Sequence, residues 1–446
     1  MAMRQIHLFS LCVGCIIGWG AFILPQDLFL SRIGLFESLV ALLIGAFAMA
    51  IIAYNFSILW RKFPQAIGGE LYFTLQIFGR KHAFICGWFL LLSYLCIIAL
   101  NATALVVVWD SFGLFELGDF RVFVGAFGIV IVGLLHIFGL QIAFILQNIL
   151  TMLLIGCVIL FFIMMGFEPH SLSNLATHIK VQFDMQSMLI TLSIMPWAYL
   201  GFDCVMQVVH SSSKGLHILV NLALFAGFML YAMLLCVLGF GMAHSDLSSE
   251  GFAIHDVLYS RFGFGGSLLL GVAILGAILS GINGFFIAME RLFEAFITHK
   301  YFTPNLAKHN RFGAKYRIVL LVMCLATTLS LFGRDALLYI IDVACVGVVI
   351  GFVYVGVGAV RILAPQCFEG INWNCAIKDR RYLRQDRGIR MMILKGFSCA
   401  ISVLGLLLGV GFFFLIFVSF FPLALKLYVV FAAIAWALLG LFVLWL

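Results

Sequence analysis

The sequence predicts an all-α integral membrane protein of twelve transmembrane helices, and three observations predict it. Apolar residues make up 64% of the 446 residues and charged residues only 10%. Apolar runs of about 20 residues, the length that crosses a bilayer as a helix, recur along nearly the whole chain. Finally, the connections between these runs alternate between basic and base-poor. A composition of this kind is far from that of a soluble domain. No long polar segment remains, so residues 1–446 read as a single polytopic membrane domain.

The expected spans are 7–25, 38–60, 83–109, 122–138, 142–166, 186–210, 217–243, 267–290, 317–332, 336–360, 396–418 and 427–446. Arg4 precedes the first apolar run as it would in a signal peptide, but no small-residue cleavage site comes before Pro25, so a retained first helix is expected. The connections on the side of Arg4 hold Arg61, Lys62, Arg80, Lys81, Lys214, the group from Arg291 to Arg317 and the loop from Arg361 to Lys395. The opposite side holds only Arg32, Arg121, Lys180, Arg261, Arg334 and Lys426, six of the 26 basic residues. Basic residues stay on the cytoplasmic face. Both termini are therefore expected in the cytoplasm, in a bacterial inner membrane. The net charge of +7 is explained by these loops and calls for no nucleic-acid partner. The opposite face is acid-leaning (Asp110, Glu116, Asp119, Glu168, Asp184, Asp246, Glu250, Asp256).

The twelve cysteines lie mostly within apolar spans, as Cys86, Cys96, Cys157, Cys204 and Cys236 do, where they act as small hydrophobes. Cys12 and Cys15 form a C-x-x-C with no further ligand nearby, and Cys367 and Cys375 lack the paired spacing of a zinc site. Neither disulfides, nor a metal, nor a cofactor is expected.

Two spans are interrupted. The first contains Gly14-Cys15-Ile16-Ile17-Gly18-Trp19-Gly20-Ala21-Phe22, and each glycine lowers helix stability by ~1 kcal/mol relative to alanine. Broken backbone inside a bilayer is tolerated where its freed groups face a cavity or ligand. Glycine also serves close helix packing. The sixth span contains Met195-Pro196-Trp197-Ala198-Tyr199-Leu200-Gly201-Phe202-Asp203, with proline, glycine and an acid at its middle. Span one starts inside and span six outside. Two such breaks in oppositely oriented halves point to an inverted-repeat transporter with a site at the bilayer midplane.

These stretches also resemble a known family. Gly14-x-x-Ile17-Gly18-x-Gly20-x-Phe22-x-x-Pro25 resembles the first-helix signature of the amino acid–polyamine–organocation (APC) transporters. Phe63-Pro64-Gln65-Ala66-Ile67-Gly68-Gly69-Glu70-Leu71-Tyr72 is similar to their F-P-x-A-G-G-x-Y element, with one residue inserted, and Trp197–Asp203 resembles their broken sixth helix. Gly281-x-Asn283, Arg291 and Pro304 follow the eighth-helix pattern more loosely. The resemblance covers about residues 7–361. It implies a LeuT-type fold: an inverted repeat of five plus five helices with helices 1 and 6 broken (7–166 and 186–360), followed by two more helices in 396–446. It also implies secondary transport of an amino acid or related amine by alternating access, as a permease or antiporter, coupled to protons or a counter-substrate.

Carried over, the resemblance places the substrate carboxylate on the backbone N–H groups of Gly18, Trp19 and Gly20. The α-ammonium would meet carbonyls near Ile16, Trp197 and Leu200. This division suits helix polarity, since N-termini favour anions and C-terminal carbonyls favour cations. Trp197 would pack over the substrate as part of a gate, with Asn101 and Phe286 at side-chain positions of the pocket. Two features depart from the pattern. Val208-Val209-His210-Ser211-Ser212-Ser213-Lys214 stands where many members carry E-E-x-x-N-P, and Leu154 stands at the fifth-helix register where many carry a lysine in place of a sodium ion.

Two acids fall inside spans, Asp203 and Asp342. An aspartate at a helix centre costs roughly 2.5–3.5 kcal/mol, so each is expected to have a partner or a role. Asp203 is expected to be a proton-sensitive gate or a hydrogen-bonding partner of freed backbone. Asp342 is expected to select a cationic side chain or carry a proton, unless it sits near the water interface. Glu290, Arg291 and Glu294 are expected to be solvated or salt-bridged at the cytoplasmic end of the eighth helix. A membrane-embedded enzyme is the competing class, but His7, His82, His136, His170, His210 and His244 are scattered along the chain. A nutrient sensor on a transporter fold is a third reading. No nucleotide-binding G-x-x-x-x-G-K-[ST] is present.

Overall fold

The computed structural model describes residues 5–25, 34–64, 67–112, 118–168, 173–175, 185–209, 215–241, 253–331, 337–365, 389–420, 423–425 and 427–445. Arg32, Lys180, Lys214, Arg334, Cys367, Cys375, the basic run from Lys378 to Arg387, and His170, His210 and His244 lie outside the described residues, as do Glu116, Asp184, Asp246 and Glu250.

The helices follow the expected spans. They are α1 (Gln5–Ile16), α2 (Gly20–Leu24), α3 (Leu35–Lys62), α4 (Gly69–Phe78), α5 (Arg80–Phe112), α6 (Arg121–Ile137), α7 (Leu140–Gly166), α8 (Met185–Ala198) and α9 (Cys204–Val208). After them come α10 (Leu216–Gly241), α11 (Ala253–Thr298), α12 (Tyr316–Ser330), α13 (Leu337–Leu363), α14 (Ile389–Phe417) and α15 (Leu427–Trp445). Eight of these are long and apolar enough to cross a membrane, and four further apolar helices are shorter. Together they account for all twelve expected spans.

Both expected breaks are present. Span one divides into α1 and α2 at Ile17–Trp19, and span six divides into α8 and α9 at Tyr199–Asp203. The causes are local. Pro196 lies in the last turn of α8 and supplies no amide hydrogen, and Gly201 has a φ of 119°, which an L side chain rarely adopts. At the opened backbone, Tyr231 Oη donates to Ala198 O at 3.1 Å. Tyr199 Oη in turn donates to Leu42 O at 2.8 Å, tying the sixth span to α3.

Three features were not legible in the chain. The loop between spans two and three contains the helix α4. The eighth span is extended at both ends, because α11 runs for 46 residues with a bend at Gly263 (φ 59°) before the expected start. A short antiparallel hairpin, β1 (Val418–Phe420) and β2 (Leu423–Leu425), joins α14 to α15.

The core sits around α5, whose apolar stretch is 89% buried, against 28% for α14 and 11% for α15. Lipid-facing helices need no apolar burial against protein, so the last two helices are peripheral. Trp88 and Trp436 attach α15 to α5: their rings stack at 4.8 Å, and each indole N–H donates to the other residue's carbonyl, at 2.9 and 2.8 Å. Tyr54 Oη donates to Ser398 Oγ at 2.9 Å, holding α14 against α3.

Candidate substrate site

The two breaks abut. A β-carbon on Gly201 would come 2.7 Å from the carbonyl carbon of Cys15, so only glycine lets the sixth span approach the end of α1 this closely. On the other side the Trp197 indole covers Gly20, where a β-carbon would stand 2.6 Å from Cζ2. Between them lies a cavity lined by Cys15, Ile16, Gly18, Trp19, Gly20, Asn101, Trp197 and Leu200, with Ile97, Leu100, Tyr231 and Phe285 completing the wall. It holds about 20 Å³. That is room for roughly one water, so the site is shut down in this conformation.

The freed backbone is partly engaged. The Trp19 N–H donates to Asn101 Oδ1 at 3.2 Å, while Asn101 Nδ2 donates to Ile97 O at 2.9 Å within its own helix. Asn101 therefore ties α5 to the first break. Trp19 and Trp197 are both buried, at 2% and 9% exposure. The Trp197 indole, lying over Gly20, occupies space at the edge of the cavity.

A family model described as amino acid permease matches residues 4–444. The chain belongs to the amino acid permease family. A search of curated proteins finds no match. Among solved structures, the permease resembles a Na+-coupled sialic acid symporter in its substrate-bound, outward-open state, at 13% sequence identity and a TM-score of 0.55. The match covers 91% of this chain and 90% of that one. The fold is LeuT-type, helical throughout its spans with helices 1 and 6 broken, and the permease is an integral membrane protein and a secondary transporter of a small molecule.

Of the residues singled out in the sequence, Ile16, Gly18, Trp19, Gly20, Trp197, Leu200 and Asn101 come together around the cavity. Phe286 does not line it. The helix turn directs Phe285 into the cavity, and Phe286 packs on His136 with ring centres 4.5 Å apart. Asp342 is also absent from the lining, and Tyr428 on α15 donates a hydrogen bond to its Oδ2. The acid faces the peripheral helix α15 rather than the cavity.

Asp203 lies immediately beside the site, fully buried. Its Oδ1 accepts the Gly201 N–H at 3.1 Å, and its Oδ2 accepts Tyr94 Oη at 2.6 Å. One carboxylate thus satisfies backbone freed by the break and joins it to α5. The cluster continues through Gln207, whose Nε2 donates to Glu70 Oε2 at 2.5 Å and lies 3.4 Å from Tyr94 Oη. Glu70 is delivered by the Gly68-Gly69 pair, which has φ values of 83° and 43°. A β-carbon on Gly69 would press within 3.1 Å of Gln207 Nε2, so the glycine pair seats α4 against α9. Tyr94, Gln207, Glu70 and Tyr231 were not found by reading the chain. A glutamate inside a recognised glycine motif was the one available signal.

Of the two alternatives for Glu290, solvated or salt-bridged, the structure shows the paired one. It is buried, at 3% exposure, and paired with His136 rather than solvated. Its neighbours behave as expected, since Arg291 donates to Glu294 at 2.7 Å and Lys315 lies 2.5 Å from the same carboxylate. On the fifth span, Leu154 is buried apolar packing. Polar side chains of this span reach α1 instead, among them Gln147, whose Nε2 lies 3.3 Å from Ser10 O, and Thr151, whose Oγ1 lies 3.0 Å from it.

Proposed function

We propose that the permease carries an amino acid or a related amine across a bacterial inner membrane by alternating access, with both termini in the cytoplasm. The observation that supports this reading best is the closed cavity between two broken helices, lined on both sides by residues of the breaks themselves. Gly18, Trp19 and Gly20 offer amide hydrogens to the substrate carboxylate. Carbonyls at Ile16, Trp197 and Leu200 receive its ammonium group. Binding requires Trp197 to lift from Gly20 and the Trp19 N–H to exchange Asn101 for the substrate.

Residues 7–166 and 186–360 form the two inverted halves in this reading, and Asp203 is the proton-sensitive element of the gate, since its carboxylate holds the sixth-span break to α5. A cavity of about 440 Å³ lined by Trp60, Arg61, Met206 and His217 lies on the side of the basic loops, and in this topology it is the cytoplasmic vestibule. The coupling partner is an ion or a counter-substrate; the symporter of similar fold is Na+-coupled.

Counterflow in proteoliposomes tests the proposal. Protein preloaded with an equimolar mixture of the standard L-amino acids, or with polyamines, should accumulate the matching tritium-labelled compound. Absence of exchange for every compound in both panels, with the protein folded, would overturn it.

A further inference from the structure

A second polar assembly lies outside the cavity and crosses four helices. His136 on α6 contacts Glu290 on α11 through Nδ1, and its Nε2 lies 3.0 Å from Asn283 Oδ1. Asn283 Nδ2 donates to Ala143 O at 3.0 Å and to Gln147 Oε1 at 2.7 Å. Gln147 Nε2 then donates to Ser280 Oγ at 2.8 Å and reaches Ser10 O on α1 at 3.3 Å. Thr151 Oγ1 donates to the same Ser10 carbonyl at 3.0 Å. All of these side chains are buried. Gly14 makes the approach feasible, since a β-carbon there would come 2.5 Å from Thr151 Oγ1 and collide with Gln147 Nε2 and Ser280 Oγ.

The backbone fixes the direction of every bond. Ala143 O and Ser10 O can only accept, so both amides must present nitrogen to them. Both hydrogens of Asn283 Nδ2 are then spent, and its Oδ1 must accept from His136. Nε2 of His136 therefore carries a hydrogen. The opposite ring nitrogen faces a carboxylate oxygen, and that contact is bonding only if one proton is held between Nδ1 and Glu290 Oε1. Without it a lone pair opposes a carboxylate in a buried site with no other cation bonded to it.

We propose that His136 and Glu290 form a proton-binding site of the permease whose occupancy is transmitted to the first helix. The inference rests on the transport reading above. When the proton leaves to water on the cytoplasmic side, the ring's remaining hydrogen moves to Nδ1 to bond Glu290, leaving Nε2 bare. Asn283 must then turn over to give Nε2 a donor, which gives up its bond to Ala143 O and presents its oxygen toward Gln147. Gln147 turns in consequence and its nitrogen leaves Ser10 O, so α1 loses one of its two side-chain tethers at that carbonyl. Proton release and movement of the half-helix that ends at the substrate site are thereby linked.

Other ionisable groups on the helices packed around the pair are engaged elsewhere. From α1, His7 lies 2.5 Å from Asn148 Nδ2, and Cys15 packs on Gly284. From α5, Tyr94 bonds Asp203 and Arg80 donates to His299 O. Beyond the pair on α11 and at the start of α12, Arg291 and Lys315 hold Glu294, and Arg317 donates to Asn305 O. From α4, Glu70 bonds Gln207. Among the described residues, neither His136 nor Glu290 has another ion-pair partner.

Nitrogen NMR of the full-length protein in nanodiscs with labelled histidine reads the site without any substrate. The His136 signal, assigned as the one lost in His136→Asn, should show a protonated Nε2 at neutral pH, and Glu290→Gln should change its titration. Proteoliposomes containing a pH-sensitive dye and supplied with the tritiated amino acid mixture then give protons moved per amino acid. That ratio should fall to near zero in Glu290→Gln and stay at the wild-type value in Glu294→Gln. A bare Nε2 at neutral pH, a His136 titration indifferent to Glu290→Gln, or an unchanged ratio would each overturn the proposal. Failure of counterflow with an intact His136 titration would instead count against the proposed substrate.

Discussion

The Trp197 indole occupies the space that a side chain on Gly20 would need: an added β-carbon would lie 2.6 Å from Cζ2 and closer still to Cη2. The two broken spans touch at this point, and the cavity is closed by the ring. Gly20→Ala should therefore hold the indole away from its closed position. Overpacking costs about 1–3 kcal/mol, enough to shift the occlusion equilibrium by roughly 5- to 140-fold at 1.4 kcal/mol per decade. Counterflow should fall accordingly while the protein still folds, and Gly20→Leu should abolish exchange. Wild-type exchange in Gly20→Leu would show that the ring does not close the site.

Tyr94 and Asp203 supply a second test. Tyr94→Phe removes the donor to Asp203 Oδ2 and leaves a buried carboxylate oxygen without it, at a cost of about 1–3 kcal/mol. Asp203→Asn keeps an acceptor for the Gly201 N–H and a polar group facing Tyr94, so it should destabilise less. Thermal melting of the two variants in detergent measures the order. The reverse order would mean that the bond is not what holds the sixth-span break.

For Asp342, the bond from Tyr428 leads to a prediction about selectivity. Asp342→Asn should change transport of lysine, arginine and polyamines by the same factor as that of neutral amino acids. A selective loss of the cationic compounds would return this acid to the substrate site.

His299 gives a pH dependence. It follows the end of α11, its ring lies 5.5 Å from that of Tyr72, and Arg80 donates to its carbonyl at 2.9 Å. Burial, and then the neighbouring Arg80 charge, hold its imidazole below the ordinary histidine value. The unfolded chain therefore binds more protons than the folded one just below about pH 6.5. The stability this neutral ring contributes is complete above that pH and is lost as pH falls through the folded value. His299→Phe keeps the ring and removes the titration. The melting temperature of the variant should change less between about pH 7 and pH 5 than that of the wild type, and equal slopes would refute the assignment.

The chain by itself determined the spans and both breaks, because these depend on local properties. An apolar run long enough for the bilayer becomes a helix wherever it lies, and proline or closely spaced glycines at its centre weaken that helix locally. The same is true of Gly14, Gly18, Gly20 and the Gly68-Gly69 pair, whose missing β-carbons are a property of the sequence that the packing then uses. Tertiary structure decided which faces meet. Successive helix residues point about 100° apart, so Phe285 rather than Phe286 reached the cavity, and no local pattern distinguishes the two. Rotation and tilt likewise brought Gln147 rather than Leu154 to α1, and turned Asp342 toward Tyr428. The run Glu290, Arg291 and Glu294 leaves open whether Glu290 is solvated or paired, and with which residue. Its partner His136 lies 154 positions away in the chain, and only the packing of α6 on α11 makes the two neighbours.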